Sequence, residues 1–145
     1  MSYGEELLRQ LGVFAPEGGM YANLGIRITA VRGGSVELEA HPTAAAHGFA
    51  GPVGLIIHGG AVATIADCAL ACAAVLVAEE GETCITADLR VEFFRPTQPD
   101  LPVLATAECR HRTRRLAYTA ATLTQAGKVV AEARATLSYL RAELP

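Results

Sequence analysis

The sequence predicts an α+β fold in which one antiparallel sheet curls around a single central helix. Three observations predict it. A long, Ala-rich apolar segment runs from Leu55 to Gly81, strand-like alternation fills the chain after it, and two further strand-like runs precede it.

The central helix comes first. From Gly59 to Ala78 the segment is long enough to span about 30 Å as a helix, which is also the length of a membrane span. Asp67 lies near its middle, and a central carboxylate in lipid costs roughly 2.5–3.5 kcal/mol even on a lenient scale. Ala at 61, 63, 66, 69, 71, 73, 74 and 78 makes it less hydrophobic than a Leu-rich span. A small-residue helix, apolar all round, suits the covered centre of a globular domain and predicts no membrane partner.

The strands follow from period-two alternation. Ile85, Ala87, Leu89, Val91 and Phe93 alternate with Thr86, Asp88, Arg90 and Glu92, the pattern of a strand with one buried face. The same period recurs at Val103, Ala105, Ala107 and Cys109, and at Val129, Ala131, Ala133, Ala135, Leu137 and Tyr139. Leu116–Thr124 is strand-like, and "QAGK" at 125–128 is a hairpin turn. Ile26–Val31 and Ser35–Ala40 flank "RGG", a second hairpin signal, while Glu5–Leu11 reads as a short leading helix and 42–57 as a Gly/Pro/Ala loop. Short connections join the last four strands, which should therefore pair antiparallel. The sheet should hold about six strands in one domain over 1–145, with no repeat and no linker.

Composition bounds the function. The chain has 145 residues, 51% hydrophobic and 19% charged, with a formal charge of −3, so it lacks the basic footprint of a nucleic-acid binder. "MSYGEELLRQLGVF" carries two Glu and lacks the basic-then-apolar order of a signal peptide, which predicts a cytoplasmic protein. Cys68, Cys72, Cys84 and Cys109 lack the paired spacing of a zinc site and read as reduced core thiols, so no metal is expected.

A carboxylate on a buried helix needs a partner or a task. "HGG" opens the helix at His58, and the N–H groups of Gly59 and Gly60, with no side chain in the way, can approach a ligand oxygen and stabilise its negative charge. An oxyanion donor and a carboxylate are two parts of an acyl-transfer site. Gly59 and Asp67 are eight residues apart, roughly 12 Å along a helix, whereas groups acting on one carbonyl must both lie about 3 Å from the reacting atoms. If both serve one carbonyl, they come from two subunits whose helices run antiparallel across a two-fold axis.

"HGGAVATIAD" followed by "ITADLRVEFFRP" resembles the hotdog-fold acyl-CoA thioesterases, in particular the phenylacetic-acid-pathway (PaaI-like) group. The likeness covers roughly 24–140 and is most specific over 58–96. It implies a long helix wrapped by a curved antiparallel sheet, a homodimer or dimer of dimers with sites across the interface, acyl-CoA as substrate, and no cofactor. It implies Asp67 as nucleophile or general base, Gly59 N–H as oxyanion donor, Thr86 as holder of the water, and His58 as a positioning residue. The family commonly has an Asn six residues before the motif His; here that position is Pro52, and the chain's only Asn is Asn23. Gly54 stands four residues before His58 rather than three, and His47 is a candidate replacement for the polar group. Arg112, Arg114 and Arg115 in "RHRTRR", with Arg95 nearby, are candidates for gripping the coenzyme A phosphates. Two alternatives remain open: a hydratase or dehydratase using His47 and Asp67, and an acyl-thioester binding module without turnover.

Overall fold

The computed structural model describes residues 1–142. Helix α1 (Tyr3–Gln10) starts with a capping box, in which Ser2 and Glu5 satisfy each other's backbone amides. It lies across the end of helix α4 (Gly59–Leu76) so closely that a Cβ on Gly4 would collide with the Leu76 carbonyl.

Six strands form one antiparallel sheet in the order β1 (Arg27–Arg32), β2 (Ser35–Ala40), β6 (Val103–Arg112), β7 (Leu116–Gln125), β8 (Lys128–Arg141), β5 (Glu82–Phe93). One face of this sheet covers α4. Val62, Ile65, Ala66, Ala69, Leu70 and Ala73 of the helix meet Leu38, Ala105, Ala117, Leu123, Ala133 and Leu137 of the sheet, all of them buried. Alanine on both sides lets helix and sheet approach closely, and the helix's apolar length is consumed by this core, with 61% of it buried.

The expected elements are all present, with differences that have local causes. The hairpin at Ala126–Gly127 places both turn residues at positive φ, 48° and 77°, as a two-residue turn between twisted strands requires. The stretch expected as a loop before α4 contains helix α3 (Ala44–His47) and a hairpin of β3 (Gly48–Gly51) and β4 (Gly54–Ile57). Thr43 starts α3 by accepting a hydrogen bond from Ala46 N–H, and Gly54 closes the hairpin turn at φ 102°. A five-residue helix, α2 (Gly19–Asn23), was not legible at all. Every strand pair is antiparallel as expected, but β5 does not neighbour β6. It crosses to the far edge and pairs with β8.

Candidate active site

Asp67 lies half-exposed on α4, and Thr86 Oγ1 donates a 2.7 Å hydrogen bond to its Oδ1. Unbroken alternation along β5 would put Thr86 on the face opposite Leu89 and Val91. Instead, β5 bulges at Ala87: Thr86 pairs with Leu137 and Asp88 with Thr136, leaving Ala87 without an opposite number. The bulge shifts the phase of the strand by one residue, so Cys84 and Thr86 face the helix before it, as Leu89, Val91 and Phe93 do after it.

The start of α4 is built differently from a plain pair of free amides. His58 is the N-cap, and its Nδ1 accepts from Gly60 N–H at 2.9 Å. Ala61 N–H and Val62 N–H both bond the His58 carbonyl. Among the described residues, Gly59 N–H is the one first-turn amide left without a protein acceptor. The role expected for Gly60 thus passes to its partner: its N–H is spent on His58, which holds the turn that presents Gly59. A groove of about 340 Å³ opens beside Gly59, lined by Phe49, Ile56, Val62, Phe93, Phe94 and Arg95 among others. Its walls are mostly apolar; Arg95 lies at its edge, tethered through Nη1 to the Val129 carbonyl at 2.6 Å.

His47 and Asn23, remote in sequence, meet. His47 Nδ1 accepts from Thr43 N–H at 3.0 Å, which leaves the proton on Nε2 to be donated to Asn23 Oδ1 at 2.7 Å. Both ring nitrogens are committed, and the His47 carbonyl accepts from His58 N–H at 2.7 Å. His47 therefore braces the segment leading to His58, and its ring keeps no polar atom for a substrate.

Arg112 corrects an expectation. Its Nη2 bonds both carboxylate oxygens of Glu82 at 2.9 and 2.8 Å, and its Nη1 donates to the Val77 carbonyl at 2.7 Å, at the C-terminal end of α4. The guanidinium also stacks 3.9 Å from the Tyr139 ring centre. The Arg112 side chain is 18% exposed and that of Glu82 0%. A guanidinium so occupied is a structural clamp on the helix end, where a cation is favoured by the helix dipole, and it is not available to a phosphate. Arg114 and Arg115 are exposed in the turn that Thr113 closes through its Oγ1. The structure thus brings Thr86 to Asp67 and groups His58, Gly59, Gly60 and the groove at the other end of the same helix half.

The cysteines of the same core, Cys68, Cys72 and Cys84, are not activated thiols. Burial pushes the Cys68 thiol up to about 12 and the Cys72 and Cys84 thiols up to about 11, so all three stay protonated. The Glu82–Arg112 clamp was not legible in the sequence, because the two residues lie on different strands with nothing local to pair them. The bulge leaves no trace either, since Ala87 fits an alternating pattern as well as a broken one.

The comparisons agree with the fold. The family model of the thioesterase superfamily matches residues 55–136. A candidate thioesterase of Ralstonia eutropha JMP134, related to phenylacetic acid degradation, is 32% identical, with 94% of this chain and 99% of that one covered at a TM-score of 0.78. A thioesterase family protein of Silicibacter pomeroyi is 27% identical over 96% and 99% of the two chains, at 0.79. The E. coli PaaI protein of the phenylacetic acid degradation operon shares the fold at 20% identity and 0.79, with 99% and 100% covered. No curated protein matches the chain. With a family model over more than half of its length and relatives over nearly all of it, the chain belongs to the thioesterase superfamily, a PaaI-like hotdog enzyme that hydrolyses thioesters.

Proposed function

We propose that the protein is a homodimeric acyl-CoA thioesterase in which Asp67 of one subunit and Gly59 of the other act on one carbonyl. The observation that carries this reading is the division of labour on α4. The oriented carboxylate and the one unsatisfied amide of the first turn are both present, yet one straight helix keeps them roughly 12 Å apart. Two antiparallel copies of the helix remove that distance.

Chemically, Thr86 holds one carboxylate oxygen of Asp67 and leaves the other to take a proton from water. The water oxygen bonds to the thioester carbon while its proton passes to Asp67. The carbonyl oxygen becomes an oxyanion that the partner's Gly59 N–H stabilises. Collapse breaks the C–S bond, the electron pair leaves with the sulfur, and Asp67 returns the proton to the coenzyme A thiolate. The groove of Phe49, Ile56, Phe93 and Phe94 beside Gly59 suits an apolar acyl group. Arg114 and Arg115 supply exposed cations for the phosphates, and the four free thiols suit the reducing cytoplasm.

The test is thiol release from short, medium, long and aryl acyl-CoAs by the wild type beside Asp67→Asn. Turnover by the wild type, lost in the variant while acyl-CoA still binds, is the expected result. Binding without turnover in both, or hydration of crotonyl-CoA in place of hydrolysis, contradicts the reading.

A further inference from the structure

Helix α2 (Gly19–Asn23) is five residues long, yet several contacts fix where it lies. Tyr21 packs into the core, and its hydroxyl meets Cys72 Sγ of α4 at 3.5 Å. Leu24 is buried, its carbonyl accepts from His41 N–H at 2.7 Å, and the Tyr21 carbonyl accepts from Ile26 N–H at 2.8 Å. Asn23, between these anchors, is therefore offered from a fixed place.

Asn23 uses that place on one partner. Its Oδ1 lies 2.7 Å from His47 Nε2, and the bond that Thr43 N–H makes to Nδ1 leaves the proton of the neutral ring on Nε2. Asn23 must therefore be the acceptor. The ring is held at both nitrogens, by α2 on one side and by the N-cap of α3 on the other.

What the held ring steadies is the carbonyl of its own residue. Helix α3 lasts one turn, and at Gly48 a Cβ would meet the Ala44 carbonyl at 2.7 Å, so glycine lets the chain leave the turn directly into β3. The His47 carbonyl then accepts from His58 N–H at 2.7 Å, one step beyond the ladder that pairs Gly48 with Ile57. His58 is the N-cap whose Nδ1 takes Gly60 N–H and leaves Gly59 N–H unspent. The connection from Asn23 to the start of α4 is thus a relay of hydrogen bonds: Asn23 to the His47 ring, the His47 carbonyl to His58 N–H, and the His58 ring to Gly60 N–H.

We propose that Asn23 is a positioning residue for Gly59 N–H: by accepting from the His47 ring, it sets how the first turn of α4 offers that amide. The proposal rests on the shared-site reading, in which Gly59 N–H meets the oxyanion, and it adds a residue that acts through His47. A donor of this kind stabilises the transition state only when aimed at the position where charge develops. Loss of aim therefore falls on the chemical step more than on substrate binding.

Two substitutions separate the acceptor from the bulk of the side chain. Asn23→Leu keeps the size and removes the acceptor, whereas Asn23→Asp keeps an acceptor oxygen. Both are compared with wild type at about pH 8.5, well above the usual histidine range, so that the ring is neutral. Amide hydrogen exchange on the free protein reads the bracing. In Asn23→Leu the His58 and Gly60 amides should exchange about fivefold faster, while Leu70, in the middle of α4, keeps its wild-type rate. Thiol release from acyl-CoA reads the consequence. In Asn23→Leu kcat and kcat/KM should fall together by about fivefold, as for one lost hydrogen bond of ordinary strength, with KM unchanged. Asn23→Asp should stay within about twofold of wild type in both measurements. Faster exchange with unchanged kcat would make Asn23 a structural brace alone, and a raised KM at constant kcat would place it in substrate binding; either overturns the proposal. So do equal losses in the two variants, unchanged exchange at His58 and Gly60, or faster exchange at Leu70 as well, which marks a general loss of stability. A wild type that hydrolyses no thioester contradicts the shared-site reading instead, while the exchange rates still decide whether Asn23 holds the turn.

Discussion

Thr86 Oγ1 stands 2.7 Å from Asp67 Oδ1, although the alternation of β5 assigns Thr86 to the face that points away from the helix. One extra residue, Ala87, accounts for the difference: the bulge turns Thr86 inward without disturbing the pairing of Leu89, Val91 and Phe93 beyond it. Beside a carboxylate proposed to act in catalysis, a strand irregularity is a positioning device. It lets one edge strand serve both core and site.

Removing the carboxylate's charge should be the most damaging single change. Asp67→Asn keeps size and hydrogen bonding to Thr86 but cannot take the proton from water. It should lower kcat by about 10² or more, as loss of a general base does, with folding intact by circular dichroism. Thr86→Val keeps the shape and removes the donor, and should lower kcat by less, since Asp67 remains charged but less well oriented. Steady-state thiol release measures both.

The Arg112–Glu82 clamp predicts a loss of stability rather than of binding. Arg112→Ala leaves Glu82 buried with only the exposed Arg141 side chain and the Glu79 N–H as partners. It should cost about 3–5 kcal/mol, as breaking a buried ion pair does, and urea unfolding would read it directly. An unchanged midpoint would mean that the clamp contributes nothing net.

The same clamp sets a pH dependence. Burial alone would raise the Glu82 carboxyl, but the Glu79 N–H and the Arg112 guanidinium outweigh it and hold it below the ordinary carboxyl value of 4.5. A carboxyl lowered in the folded state contributes stability that is fully present above its unfolded value and is lost as pH falls through the folded one. Stability should therefore drop below about pH 4.5, and Glu82→Gln should flatten that limb of the profile while lowering the plateau. Urea midpoints taken from pH 7 down to pH 3 would show whether the two curves converge.

The exposed arginines should behave in the opposite way to Arg112. Charge removal at Arg114 or Arg115 should raise KM for acyl-CoA more than it lowers kcat, because a phosphate contact is uniform binding. The difference from wild type should shrink as salt screens the contact, and Tm should hardly move. Equal KM values at low salt would assign that turn to solvent.

The fold was legible where patterns are periodic: the Ala-rich helix, the alternating strands and the "QAGK" turn all follow from spacing and local chemistry. The candidate site was proposed where a lone charge or a pair of glycines broke a pattern, as at Asp67 and Gly59. What escaped depends on contacts between distant segments. Asn23 and His47 find each other only once α2 and α3 are folded side by side, and Arg112 reads as one more surface cation until Glu82 is seen beneath it. The crossover of β5 to the far edge of the sheet, beside β8, has no sequence signature.

The central claim is that Asp67 and Gly59 serve one carbonyl from different subunits, and mixing two inactive variants tests it most directly. Gly59→Pro removes the N–H while respecting the helix, since proline suits the first helical position and His58 already has the extended backbone that precedes a proline (φ −58°, ψ 135°). Asp67→Asn removes the charge. Each homodimer should be inactive. Unfolded together and refolded as a random mixture, they should recover about one quarter of wild-type turnover, because half of the dimers are mixed and each of those rebuilds one intact site. A mixture as inactive as its components would contradict the account, since it would put both groups to work within a single subunit.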